Sequence, residues 1–76
     1  MKMVSELQRD LVSFFRATRY SIVDLALAAG VSRELISALR NGYKSGCGES
    51  YEKRIRAGIR RLLREWRIME GSHGTH

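Results

Sequence analysis

The stretch Ile22–Asn41, IVDLALAAGVSRELISALRN, decides how this chain is read. It holds two short segments with helical apolar spacing, parted at Gly30 with only Val31 and Ser32 before the second. In the first, Ile22, Leu25 and Ala29 share a face with Ala26 beside it, which predicts a helix over 22–29. Ser21 can cap it, Asp24 sits near the positive end of its dipole, and Gly30 ends it because glycine tolerates positive φ. In the second, Ser32 is the cap of a helix over 33–40, with Leu35, Ile36 and Leu39 on its buried side. Arg33, Ser37 and Arg40 line up on the opposite side, flanked by Glu34, Ala38 and Asn41. Ala26 lets the two helices cross closely, and Val31, Ile36 and Leu39 bury the inner side of the second helix.

Upstream, Leu7, Leu11, Phe14 and Phe15 recur at i, i+4, i+7 and i+8, predicting a helix over 5–18 with both rings in the core. Ser5 and Gln8 have capping-box spacing. Downstream, Asn41–Glu49 reads NGYKSGCGE, and its three glycines suggest a mobile connection. A long helix is predicted over 51–69. Its apolar side carries Ile55, Ile59, Leu62, Leu63 and Trp66. Its other side carries Lys53, Arg56, Arg60, Arg64 and Arg67. Residues 1–70 are read as one domain and 71–76 as a disordered tail. The expected fold class is all-α, with four to five helices.

The chain has 76 residues, enough for one small core. It carries 14 Lys+Arg against 8 Asp+Glu, and 11 of the 14 bases are Arg. Residues 33–67 hold ten bases and four acids, so the second half supplies the whole excess of +6. Such a field favours a polyanion, and Arg is the better fork-shaped donor to phosphate and guanine. Arg40 and Lys44 flank the second motif helix and its loop. Arg54, Arg56, Arg60, Arg61, Arg64 and Arg67 offer a second positive strip. Six phosphate contacts would give a slope of log K against log salt of about −5. A polar outward face on the second motif helix is what a major-groove reader needs.

The run LALAAGVSRELISALRNG resembles the helix-turn-helix of the lambda-type repressor and Cro family, and is similar to the headpiece of Lac-repressor-type regulators. The upstream helix favours the lambda/Cro-like arrangement. The resemblance covers about 20 residues. It implies a lambda-repressor-like fold and a sequence-specific DNA-binding regulator, a repressor of phage or mobile-element type. Its recognition helix would be 33–40, with Arg33, Glu34 and Ser37 facing base edges and Asn41 at a backbone phosphate. Glu34 could accept from cytosine N4, or else restrain Arg33 or simply repel the backbone. Further backbone contacts are expected from Ser32, Arg40, Tyr43 and Lys44, and from Arg56, Arg60 and Arg64. For Tyr43, a phosphate contact and closure of the core edge both stay open. The Gly-rich loop and single Arg-studded helix depart from the family. That layout is similar to the N-terminal DNA-binding domain of the transposition-activator ATPases of Mu-like phages, which would bind with little sequence preference. No G-x-x-x-x-G-K-[ST] is present, and G-C-G at 46–48 reads as a loop.

The implied partner is double-stranded DNA, bound by a homodimer or a chain tethered to further domains. A rival reading uses the amphipathic helix 51–69 at a membrane surface or on a protein partner. No apolar run reaches the ~20 residues of a membrane helix, and the Met1 end lacks a signal-peptide core, so a cytoplasmic, nucleoid-associated protein is expected. No cofactor or metal is expected. The single Cys47 allows no internal disulfide and reads as an inert exposed thiol. His73 and His76 have H-x-x-H spacing but no other ligand. No paired carboxylates or nucleophile–His pair suggests an enzyme.

Overall fold

The computed structural model describes residues 5–73, with side chains through 70. The described residues form four helices and no strand: α1 (Glu6–Ala17), α2 (Ile22–Ala29), α3 (Arg33–Asn41) and α4 (Glu49–His73). The fold is all-α.

Local chemistry sets each boundary. The Ser5 hydroxyl accepts from the Gln8 backbone N–H and starts α1. The capping box is only half made, because Gln8 Nε2 donates instead to the Arg40 carbonyl oxygen at 3.2 Å. That bond ties α1 to the end of α3. A full capping box stands at α2: Ser21 Oγ accepts from the Asp24 N–H, and Asp24 Oδ2 accepts from the Ser21 N–H at 2.8 Å. Such a cap is worth about 1 kcal/mol. Gly30 closes α2 in the left-handed region at φ 70°, as its place after Ala29 predicts. Ser32 caps α3 by accepting from the Leu35 N–H at 3.2 Å.

Helix α3 runs one residue past its predicted end. The N–H groups of Gly42 and Tyr43 then fold back onto the Ala38 carbonyl, which satisfies the last turn. Helix α4 begins two residues before its predicted start and ends at His73, so it enters the segment read as a tail. Residues 74–76 lie outside the described residues.

The core is formed by Leu7, Leu11 and Phe14 of α1, Leu25, Ala26 and Ala29 of α2, Ile36 and Leu39 of α3, and Ile55, Ile59 and Leu62 of α4. Helix α4 makes its main interface with α2 and touches α1 lightly, while α3 packs on α1 and α2. The backbones of α3 and α4 do not come together. The close crossing of α2 and α4 depends on Gly58, where a Cβ would meet Ala29 Cβ at 3.1 Å. Ala26, the small residue expected where α2 and α3 cross, is buried in the core. Tyr20 bridges the far end, stacked on Phe14 at 6.1 Å and edge-on to Trp66 at 5.9 Å.

Candidate nucleic-acid interface

Helix α3 buries Ile36 and Leu39 completely and half-buries Leu35. Because it packs on two helices, its covered side is broad and reaches Arg40. The exposed side is therefore centred on Glu34 and Asn41, with Arg33 beside them and Ser37 half-buried. This shifts the face from the predicted Arg33–Ser37–Arg40 line. The Arg40 guanidinium lies 5.5 Å from the centre of the Phe15 ring, directed toward α1. Phe15 is accordingly half-buried at the core edge rather than inside it.

The remaining polar groups on this side pair with one another. Arg33 Nε donates to Glu34 Oε2 at 3.4 Å, with both side chains largely in solvent. The Glu34 carboxyl is held below the usual carboxylate range by its own backbone N–H at the helix start, and secondarily by Arg33. Asn41 Nδ2 donates to Ser37 Oγ at 3.3 Å. Of the roles open to Glu34, restraint of Arg33 is present in the free protein. These pairs are exposed and weak, so exchanging them for an outside partner costs little.

Next to α3 a shallow hollow opens toward the start of α2. Ile22 and Val23 form one wall, and Arg33, Ser37 and Tyr43 the other. Tyr43 is 84% exposed, so it does not close the core edge. Lys44 is exposed beside it. Val23 and Leu27, one turn apart on α2, are exposed apolar residues that the helical spacing did not single out.

The cations of α4 divide by partner. Arg56 is half-buried between two carboxylates: its Nη1 donates to Asp10 Oδ2 at 2.5 Å and its Nε to Glu52 Oε2 at 2.9 Å. Those bonds raise its pKa further above the ordinary Arg value. Arg56 is thus a brace between α4 and α1, not an open phosphate contact, and Asp10 was the unrecognised partner. Arg61 pairs with Glu65, Lys53 with Glu49, and Arg54 lies over the Tyr51 ring. Arg60, Arg64 and Arg67 are exposed and have no carboxylate partner among the described residues. They line hollows along α4 and α1, away from α3.

Cys47 is not exposed as expected. It is half-buried, packed on the core edge, and burial followed by the Glu52 carboxylate pushes its thiol pKa up. Among the described residues no group of His, Cys, Asp and Glu could hold a metal ion. The H-x-x-H side chains lie outside the described residues. None of the described helices is long and apolar enough to cross a membrane. Comparison with protein-family models, with curated proteins and with solved structures finds no match.

Proposed function

We propose that this chain binds double-stranded DNA with α3 in the major groove and acts as a sequence-specific regulator of lambda-repressor-like type. The observation that supports the reading is the arrangement of α2 and α3. Two short helices are joined through a left-handed Gly30, and the second turns Ile36 and Leu39 inward while leaving Arg33, Glu34 and Asn41 outward. That is the geometry a groove reader requires. The net charge of +6 supplies the attraction to a polyanion.

In this reading Arg33 forks onto a guanine, with Glu34 and Ser37 assisting. Ser32, Asn41, Tyr43 and Lys44 surround that face and hold phosphates. The Ser32 oxygen accepts from Leu35, which leaves its proton free to donate. Arg60 and Arg64 add to the long-range field rather than to this contact.

The test is selection from random duplexes, followed by binding of the selected duplex and its scrambled counterpart in the same salt. A preference for the selected duplex, with amide shifts concentrated in 33–41, supports the proposal. Equal binding to both would favour the DNA-binding module of a transposition ATPase. No binding at low ionic strength would end the DNA reading.

A further inference from the structure

We infer that the groove between α1 and α4 docks an acidic amphipathic helix of a partner protein. Helices α1 and α4 touch only lightly, and an open groove of about 530 Å³ is lined by residues of both. Phe14 and Ala17 of α1 and Ile59 and Leu63 of α4 form its apolar walls. The Asp10–Arg56 ion pair closes one end. Next to it a second hollow shares Arg60 and Leu63 and runs along α4 alone to Ile68, which is 63% exposed. From Arg56 to Ile68 the path along α4 is about 18 Å, room for roughly three turns of a docked helix.

The charge beside this groove points to the occupant. Elsewhere on α4 the cations have partners within the chain: Lys53 with Glu49, Arg56 with Asp10 and Glu52, Arg61 with Glu65, and Arg54 with the Tyr51 ring. Arg60, Arg64 and Arg67, which border the groove and its extension, have no carboxylate partner among the described residues. An apolar floor with unpaired guanidinium groups along one side complements a helix with an apolar stripe and neighbouring carboxylates. A second copy of this chain would set these arginines against others in a molecule of net charge +6. A DNA backbone would meet the cations but has no apolar ridge to fill the floor. A lipid surface is flat where this site is concave. The inference does not depend on the DNA reading, since no residue of α3 lines the groove.

The probe is a synthetic peptide of about 16 residues with Leu or Ile at i, i+3, i+4 and i+7 and Glu alongside. It is titrated into the full chain beside a scrambled peptide of equal composition, a short duplex, and phosphatidylserine-containing vesicles. The amphipathic peptide is expected to shift the amides of Ser13, Ala17 and Leu63 and to bind at least about 10-fold tighter than the scrambled one. The double variant R60E/R64E should reduce that binding about 10-fold or more, with helicity and melting unchanged because both residues are exposed. A second variant, Ala17→Glu, adds a carboxylate at an exposed groove wall and should have the same effect. Equal binding of the scrambled peptide, shifts located elsewhere, or unaltered affinity in both variants overturns the proposal. So does displacement of the peptide from the same amides by the duplex or the vesicles.

Discussion

Gly58 of α4 lies against Ala29 of α2 so closely that a Cβ on Gly58 would stand 3.1 Å from both the Ala29 Cβ and its backbone nitrogen. Two effects oppose each other when alanine is placed there. Helix propensity gains about 1 kcal/mol. Overpacking against a backbone costs about 1–3 kcal/mol. Ala29 is the last residue of α2, held in place by the Gly30 cap, so it gives way poorly. Gly58→Ala is expected to destabilise by about 1 kcal/mol, and thermal melting should show a drop of about 4–8 °C. Unchanged or raised melting would mean that the α2–α4 crossing is looser than described.

Arg33→Ala removes the one guanidinium on the exposed side of α3 without touching the core. Discrimination between a selected duplex and its scrambled counterpart is expected to fall by about 1–3 kcal/mol. Urea unfolding should stay within about 0.5 kcal/mol of the parent, as is usual for an exposed site. Competition binding at fixed salt measures the first quantity.

The ionic-strength dependence reports how many cations meet phosphates. Arg56 is engaged by Asp10 and Glu52, Arg61 pairs with Glu65, and Arg40 is directed to Phe15. With Arg33 and Lys44 as the cations left beside the α3 face, the slope of log K against log salt should be about −2 rather than about −5. A slope near −5 in a salt titration would bring the α4 arginines into the DNA contact.

The Cys47 thiol should be slow toward alkylation. Burial, and then the Glu52 carboxylate, raise its pKa, so at any given pH less thiolate is present than on an unhindered peptide. The rate of iodoacetamide reaction, followed from pH 7 to 10, should rise with an inflection above the ordinary ~8.5 of a free thiol. An inflection at or below the free-peptide value would contradict the placement of Cys47 against the core edge.

Much of the architecture was legible in the residues because periodicity and capping act within one helix. Leu7, Leu11 and Phe14 recur on one face and are buried together, and Ser21, Gly30 and Ser32 mark the ends they occupy. What escaped reading depends on which helices become neighbours. Gly58 has no meaning until Ala29 is opposite. Gln8 looked like half of a local cap until α3 brought the Arg40 carbonyl within reach of its Nε2 as donor. Arg56 counted as a surface cation until Asp10, 46 positions away, came to 2.5 Å. The direction of Arg40 was missed for the same reason: a helix that packs on two others covers more of its circumference than a two-helix picture allows. In the candidate interface, Arg33, Glu34 and Asn41 are exposed as their spacing on α3 suggested, while Arg56 and Arg40 are withdrawn by tertiary partners.

If α3 reads a duplex as proposed, the mutual bonds Arg33–Glu34 and Ser37–Asn41 would bear on discrimination. A duplex docking on α3 would have to replace both before any new hydrogen bond counts in its favour. A matching base pair with its flanking phosphate offers a substitute to each member, so the trade is close to even. A mismatched one separates the members and leaves them stranded at a dehydrated contact, where each orphaned group costs about 1–3 kcal/mol. Self-pairing on the resting surface would thus act as a filter, sharpening rejection of wrong duplexes without tightening attachment to the right one.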